Sequence, residues 1–193
     1  MPKRRPDHME GQRERILAAT LQCISELGIE RTSIAEIRKL AGLSTGAIYT
    51  HFAGKDEIVA EALRSASVRR GLLPETWREF AAAIARVGDG EADVLFVART
   101  QLQIYASAIR PGPLHDLLKP ILANALDVVV RHLENMEREG HVKLRSSALK
   151  TALAMGAIRD GIMWSGLALD RPLDEIEADI VDALGCLVDV TAG

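Results

Sequence analysis

Residues 32–55 constrain the fold of this chain more than any other segment, because they predict two short helices joined by a tight turn. Ser33 and Glu36 have the spacing of a capping box, in which side chains satisfy the free amides at a helix start. Apolar residues then recur at intervals of three and give the first helix one buried face: Ile34, Ile37 and Leu40. Gly42 is expected to end this helix, since glycine readily adopts the left-handed conformation of a C-terminal cap.

The second helix of the segment is predicted to be only two turns long. Ser44 can cap its start, and the helix runs to about Phe52, before Gly54 and Lys55 open the next helix. Two helices joined at a steep angle by a short glycine-containing turn form a helix-turn-helix. The second helix of this motif is the part that enters the major groove of DNA. The segment therefore predicts DNA binding.

Around this motif the sequence resembles a known family. The string AGLSTGAIYTHFAGKDEIVAEAL, residues 41–63, is similar to the DNA-binding signature of TetR/AcrR-type transcriptional repressors. The matching positions are Ala41, Gly42, Leu43, Ser44, Gly46, Tyr49, His51, Phe52, Lys55 and Glu57. The resemblance covers roughly residues 12–65. It implies a three-helix DNA-binding domain at residues 1–55, a connecting helix at 55–70, and a ligand-binding and dimerisation domain at 56–193.

The resemblance and the helix geometry together nominate a set of DNA contacts. In the family the tyrosine of the motif reaches a phosphate, and Lys55 is expected to do the same from the start of the next helix. Short polar side chains near a recognition-helix start can touch phosphates, thymine methyls or base edges, and the amide-rich start of the preceding helix suits a phosphate. The predicted contacts are Thr32, Ser33, Ser44, Thr45, Gly46, Tyr49, Thr50, His51 and Lys55.

Some of these residues have a second interpretation. Ser44 is a helix cap whatever it binds, and His51 can equally be a packing residue. A short basic arm at Lys3, Arg4 and Arg5 is either solvated or contacts DNA. Charge favours the DNA interpretation: residues 1–72 hold 12 basic and 9 acidic residues, whereas residues 73–193 hold 12 basic and 18 acidic ones. The first third can therefore face phosphates while the acidic remainder is repelled by them.

The rest of the chain also predicts helices, about nine in all, and no strand. The predicted spans outside the motif are 9–27, 55–70, 74–88, 91–109, a helix ending near 139 that is bent or split at Pro120, 146–169 and 173–190. The predicted fold class is therefore all-α.

Other classes of protein lack support in the sequence. No apolar run reaches the ~18 residues needed to cross a bilayer, and the start of the chain does not predict a secretory signal. Cys23 and Cys186 are far apart with no metal-ligand spacing, which favours a reduced, cytoplasmic protein. Phosphate-loop, dinucleotide, zinc-protease and nucleophile-elbow motifs are missing. We therefore expect no enzyme activity, cofactor or metal.

Two patterns near the end of the chain predict a homodimer. Ala157, Gly161 and Ser165 form a strip of small residues on one helix face, which lets two backbones approach closely. The last helix carries an apolar stripe: Ile176, Ile180, Ala183, Leu184, Leu187 and Val188. Close packing within one subunit is the alternative. The resemblance implies that the last two helices pair with those of a second copy, through Ala157, Gly161, Ser165, Ile180, Leu184 and Leu187.

The resemblance also implies an effector pocket among the helices of the C-terminal domain, for a small apolar or amphipathic molecule. Candidate wall residues, each of which can also be ordinary core, are Trp77, Phe80, Phe96, Gln101, Tyr105, Leu118, Leu122, Met155, Ile158, Arg159, Ile162 and Trp164. Arg159 stands out because an unpaired buried guanidinium is costly. It is expected either to pair with an acidic residue or to receive an anionic group of the ligand.

The sequence thus predicts a ligand-responsive repressor that binds a palindromic operator as a homodimer. Three alternatives stay open: an activator of the same fold, a helical small-molecule-binding protein whose N-terminal domain no longer binds DNA, and a helical-bundle enzyme.

Overall fold

The structure is a computed structural model that describes residues 6–68, 73–86 and 91–191, without the side chains of residues 6–8, 66–68 and 91–93. The described residues form nine helices: α1 Pro6–Leu27, α2 Ile34–Ala41, α3 Thr45–Tyr49, α4 Lys55–Val68, α5 Trp77–Ala85, α6 Glu91–Ala108, α7 Pro113–Arg138, α8 Ala148–Ala168 and α9 Leu173–Gly185. The predicted all-α class is confirmed. The basic arm at Lys3, Arg4 and Arg5 lies outside the described residues.

Two short strands correct the prediction that the chain has none. β1 Val142–Leu144 pairs antiparallel with β2 Val188–Val190, and Lys143 stands opposite Asp189. The last helix was predicted to run to residue 190, but α9 ends at Gly185. Beyond α9, the valines of β2 favour an extended backbone, and this segment pairs with β1. Arg145 adds an ion pair to Asp189 at 2.6 Å.

Helix α7 is one continuous helix, so of the two outcomes predicted at Pro120, a bend or a split, the split does not occur. Pro120 lies inside α7, where it removes one backbone hydrogen bond. The side chain of Pro120 is exposed. One missing bond in a helix of 26 residues leaves the neighbouring turns intact.

The described residues pack as two compact units. The first comprises residues 6–68 with 99–121, and the second residues 73–86, 91–98 and 122–191. Helices α6 and α7 therefore each contribute to both units. This division by packing differs from the predicted functional domains, 1–55 and 56–193, which stay a prediction.

The first unit has two apolar clusters. One joins α1 to the helix-turn-helix and α4, with buried residues that include Ile16, Ile37, Ile48, Phe52 and Ile58. The other joins α1 and α4 to the first turns of α7: Ile24, Ile29, Val59, Leu63 and Leu118. Because Leu118 is fully buried among these side chains, the segment 99–121 belongs physically with the helix-turn-helix unit.

The second unit is built around helices α5, α8 and α9 and the later part of α7. Its buried core includes Phe80, Leu133, Met136, Met155, Met163, Ile176, Ile180 and Leu184. Ile180 and Leu184 are 0% exposed, so their apolar surface is already buried inside the subunit. This corrects the prediction that they form part of the dimer interface. Leu187 is half-buried against the same core. No helix in the described ranges is long and apolar enough to cross a membrane.

Candidate nucleic-acid interface

The first helix of the motif, α2, is held at both ends by the caps that the sequence predicted. The Ser33 hydroxyl accepts a hydrogen bond from the Glu36 amide at 3.2 Å. Gly42 has φ 64° and its amide donates to the Arg38 carbonyl oxygen. A left-handed residue here turns the chain sharply, and only glycine adopts it without a steric cost. Ser33 thereby fixes the start of α2, and Gly42 fixes the turn that leads to α3.

The recognition helix α3 is shorter than predicted. It covers five residues, Thr45–Tyr49, and the Ser44 hydroxyl accepts from the Ala47 amide at 3.1 Å. Beyond Tyr49 the backbone continues as turns, and the Phe52 amide donates to the Ile48 carbonyl oxygen at 3.1 Å. Ile48 and Phe52 are buried and anchor α3 to the first unit.

The opposite face of α3 is turned to solvent. Its exposed residues are Ser44, Thr45, Gly46, Tyr49 and Thr50. The Tyr49 side chain is 55% exposed, although an aromatic ring would usually be buried where the fold allows it. The Thr50 hydroxyl donates to the Gly46 carbonyl oxygen at 2.9 Å. The structure thus brings five of the nine predicted DNA contacts onto one exposed surface.

Lys55 lies at the first position of α4 and reaches back to the turn before α2. Its Nζ donates to the Glu30 carbonyl oxygen at 3.1 Å, and the Glu30 carboxylate pairs with Arg110. An ammonium group has three donors, so this one bond leaves Lys55 able to bind an anion. A lysine at a helix start is unfavourable for the helix dipole, which is why the sequence predicted an anionic partner for Lys55.

Thr32 does not have the exposure that its predicted role requires. It is 1% exposed, and its hydroxyl donates to the Gly28 carbonyl oxygen at 2.8 Å. Its side chain closes the turn after α1 and cannot reach a phosphate. Ser33, next to it, is half-buried and acts as the α2 cap.

His51 faces the interior of the unit rather than the α3 surface. Its Nε2 lies 3.4 Å from Gln12 Oε1, and its ring is tilted against Phe52 with 6.3 Å between centroids. Gln12 is itself buried on α1. These contacts favour the packing interpretation of His51.

An ion pair that the sequence analysis missed ties α1 to α4 beside this surface. Arg13 Nη2 lies 2.9 Å from Glu61 Oε1, and the Arg13 guanidinium stands over the Phe52 ring at 5.3 Å. The hydrogen bond from Arg13 is the main cause that lowers the pKa of Glu61 below its ordinary value. No local pattern announces this pair, because its partners are 48 positions apart in the sequence.

The predicted effector-pocket residues are divided between the two units. Trp77, Phe80 and Met155 lie in the core of the second unit, whereas Leu118 lies in a core of the first. Gln101 is half-buried, and Tyr105 is 44% exposed. Three others are half-buried in the second unit: Phe96, Leu122 and Trp164. The pocket they were predicted to line stays a prediction.

The Arg159 guanidinium forms a hydrogen bond and an ion pair within its own unit. Its Nε donates to the Ile84 carbonyl oxygen at 2.8 Å, and its Nη1 lies 2.8 Å from Asp160 Oδ1. The side chains of Arg159 and Asp160 are only 12% and 10% exposed. Of the two expectations for this guanidinium, the structure shows the acidic partner, and it is the next residue in the chain.

An open groove of about 490 Å³ runs along α8 and α9. It is lined by Ala157, Ile158, Gly161, Ile162, Ser165, Gly166, Leu169, Arg171, Asp179 and Ala183. Two predicted pocket residues, Ile158 and Ile162, therefore share a surface with the predicted small-residue strip. A smaller depression of about 260 Å³ lies in the first unit beside Gly28, Arg99 and Gln103.

Within the described ranges, no three histidine, cysteine, aspartate or glutamate side chains are grouped to hold a metal ion. Both cysteines are free thiols. Burial raises the pKa of the Cys23 thiol above its ordinary value, which marks it as an unreactive core residue.

Comparisons with known proteins agree with the geometry of this surface. The family model of bacterial regulatory proteins of the tetR family matches residues 16–62. The HTH-type transcriptional regulator TtgR of Pseudomonas putida is 37% identical over an alignment of 195 positions, which covers 90% of this chain and 89% of that protein. The HTH-type transcriptional regulator BetI of Escherichia coli is 29% identical over 177 residues, covering 84% and 87%.

Solved structures share the fold. A TetR-family transcriptional regulator from Rhodococcus sp. superposes with a TM-score of 0.81 at 19% identity, covering 93% of this chain and all of that one. A regulator from Saccharomonospora viridis, solved in complex with choline, gives a TM-score of 0.71 at 19% identity, covering 93% and 99%. At this identity the likeness concerns the fold alone.

Proposed function

The chain belongs to the tetR family of bacterial regulatory proteins, and we propose that it is a ligand-responsive repressor that binds a palindromic operator as a homodimer. As a family member it is a DNA-binding transcription regulator and not an enzyme. Repression, the palindromic site, the homodimer and release by a small molecule are the parts that we propose.

One observation carries the proposal: the exposed face of α3. Small and hydroxyl-bearing residues cover a helix that two buried side chains, Ile48 and Phe52, hold in place. An anchored helix with an exposed polar face is suited to a DNA groove. Of the nine predicted contacts we retain Ser33, Ser44, Thr45, Gly46, Tyr49, Thr50 and Lys55, and we leave out Thr32 and His51, whose side chains are committed inside the unit.

A homodimer is proposed because one helix of five residues makes few base contacts. Two such helices about 34–36 Å apart would reach consecutive turns of the major groove. The candidate surface for pairing lies along α8 and its C-cap residue, where exposed residues recur at intervals of four: Leu149, Leu153, Ala157, Gly161, Ser165 and Leu169. The residues in the middle of this row, Ala157, Gly161 and Ser165, are small, and a Cβ atom at Gly161 would meet nothing in residues 6–68, 73–86 and 91–191 within 4 Å.

A small-molecule effector is proposed from the family, with candidate contacts inside the second unit at Trp77, Phe96, Leu122, Met155, Ile158, Arg159 and Ile162. One solved relative in fold is a complex with choline. Because the Arg159 guanidinium already holds Asp160 and the Ile84 carbonyl oxygen, we propose an apolar or amphipathic effector without requiring an anionic group. The effector must bind the DNA-free arrangement more tightly, since only differential affinity shifts an equilibrium.

The test is binding of the full chain to the DNA flanking its own gene, measured by fluorescence anisotropy against an unrelated fragment of equal length. We expect preference for the flanking fragment and a linear fall of log affinity with log salt, as phosphate contacts require. A library of apolar and amphipathic molecules is then screened for release of that fragment. A folded protein that binds both fragments equally would refute operator recognition.

A further inference from the structure

The exposed face of α3 carries no side chain that reads a purine by paired hydrogen bonds. Guanine is usually read by arginine or lysine and adenine by asparagine or glutamine. None of these residue types occurs from Ser44 to Thr50. The groups that this face can present to base edges are hydroxyls, methyl groups and exposed backbone. Thymine is the base whose major-groove edge carries a methyl group that apolar atoms can contact.

Thr45 is the best-placed of these residues. It is the first residue of α3 and is exposed, and the N-terminal residues of a recognition helix are those that reach base edges. The hydroxyls of Ser44 and Thr50 are both engaged in the cap and the last turn of the helix. The Thr45 side chain makes no such bond within residues 6–68, so its hydroxyl and its Cγ2 methyl both remain available.

Gly46, the next residue, leaves a gap on the same surface. Glycine destabilises a helix relative to alanine, so its presence needs a reason. The described residues supply none: among them a Cβ atom at Gly46 would have only Ser44 Oγ nearby, at 4.0 Å, and the backbone there is not left-handed. A close approach by a group from outside the chain explains the missing side chain.

We propose that Thr45 and Gly46 together recognise one thymine in each operator half-site. The Thr45 Cγ2 methyl packs against the C5 methyl of the base, and the gap at Gly46 admits that methyl close to the helix backbone. This inference rests on the operator binding proposed above and adds the residues that set its base preference. Tyr49 and Lys55 act on phosphates, so they set affinity rather than sequence.

The experiment begins with selection of the preferred duplex from a randomised DNA pool by the full chain. Each thymine of the selected half-site is then replaced by deoxyuridine, which removes only the C5 methyl. For the wild type we expect one position at which affinity falls about fourfold per half-site, the effect of one buried methyl group. Substitution of other thymines should change affinity little.

Two matched variants assign that effect to Thr45. Thr45→Ser keeps the hydroxyl and loses the methyl, so it should bind the thymine and deoxyuridine duplexes equally. Thr45→Val keeps a methyl at the same place and should retain the preference for thymine. Gly46→Ala should weaken operator binding roughly tenfold by overpacking the contact, while its melting temperature stays equal or rises because the subunit has room for the methyl.

The outcomes separate the two levels of the proposal. A selected operator that tolerates deoxyuridine at every position, or a Thr45→Ser variant as sensitive as the wild type, overturns the thymine contact and leaves operator binding intact. A pool that yields no preferred sequence overturns operator binding itself, and the inference with it. If Gly46→Ala leaves operator affinity unchanged, the gap at Gly46 plays no part in thymine recognition.

Discussion

At the scale of single residues, Lys55 is the clearest probe of phosphate contact. Its ammonium group uses one donor on the Glu30 carbonyl oxygen. We expect Lys55→Ala to weaken operator binding and to reduce the slope of log affinity against log salt by about one, the value for one lost phosphate contact. Lys143→Ala, an exposed change on β1, serves as the control. An unchanged slope in a folded Lys55 variant would exclude the contact.

Glu61 predicts how stability depends on pH. Because the Arg13 hydrogen bond lowers the pKa of Glu61 in the folded chain, the pair stabilises the fold above the ordinary pKa of 4.5. This stabilisation is lost as the pH falls through the lowered folded value. Glu61→Gln should therefore reduce the free energy of unfolding at neutral pH, by on the order of 1 kcal/mol.

Urea unfolding of both proteins at neutral and strongly acidic pH measures this effect. The difference between wild type and Glu61→Gln should shrink towards zero in acid. Glu134→Gln on α7 is the control, because Glu134 is exposed and its change should have little effect at either pH. A Glu61 difference that persists below the pKa of the carboxylate would assign the stabilisation to packing rather than to charge.

For the buried charge of Arg159, the sequence predicts the need for a partner but does not identify every partner. Its apolar neighbours predicted that the guanidinium needs a partner, but the Ile84 carbonyl oxygen that accepts from it is 75 positions away. Removing one member of a buried ion pair is costly, so Arg159→Ala should lower the free energy of unfolding by about 3 kcal/mol. The double variant Arg159→Met, Asp160→Leu should recover most of that loss, since no charge is left buried alone. Chemical denaturation of the wild type, Arg159→Ala and the double variant measures both changes in the free energy of unfolding.

At the scale of helices and strands, local patterns located most elements, and long-range pairing accounts for the two strands that the sequence did not predict. The caps at Ser33 and Gly42 involve neighbours within four residues, so the sequence predicted them and the structure confirms them. The strands β1 and β2 hold three residues each. They exist because residues 142–144 and 188–190 meet. A pattern in either segment alone cannot reveal such a partner.

Helix packing also depends on a residue that the sequence analysis did not single out. A Cβ atom at Gly166 would stand 2.5 Å from Ile176 Cγ1, where α8 crosses α9. Ile176 is 2% exposed, so it has little room to move. Gly166→Ala should therefore destabilise the protein by about 1–3 kcal/mol.

Gly156 provides the matched control on the same helix. A Cβ atom there would meet nothing within 4 Å, so Gly156→Ala should stabilise the chain by about 0.4–1 kcal/mol through the unfolded state. Thermal unfolding of both variants gives the comparison. If the two substitutions shift the melting temperature equally, the close approach at Gly166 does not contribute to stability.

At the scale of the whole molecule, the sequence predicted the dimer interface from two helical patterns, of which the folded subunit exposes one and buries the other. The strip Ala157, Gly161 and Ser165 is exposed, whereas Ile180 and Leu184 are fully buried within one chain. An apolar stripe on a helix faces its own core as readily as a partner. Only burial in the folded subunit separates the two cases, so the sequence could not decide which pattern marks the surface.

The exposed strip makes Gly161 the decisive position for assembly. Because a Cβ atom at Gly161 has open space within its own chain, Gly161→Leu should leave the subunit folded and push a partner helix away. Overpacking a close contact costs about 1–3 kcal/mol, which corresponds to a weakening of the dimer by roughly 5- to 150-fold. Sedimentation equilibrium of the wild type and the variant measures it, with Ala35→Leu on α2 as the exposed control.

The same variant links assembly to DNA binding, since Gly161 lies on α8 and the retained DNA contacts lie between Ser33 and Lys55. If both recognition helices must bind together, Gly161→Leu should also weaken operator binding at protein concentrations where it is monomeric. Raising the concentration should restore that binding, whereas it should not rescue a variant with a damaged α3 face. A wild type that is monomeric at micromolar concentration would refute the dimer interface, and a monomeric variant with full operator affinity would refute the palindromic site.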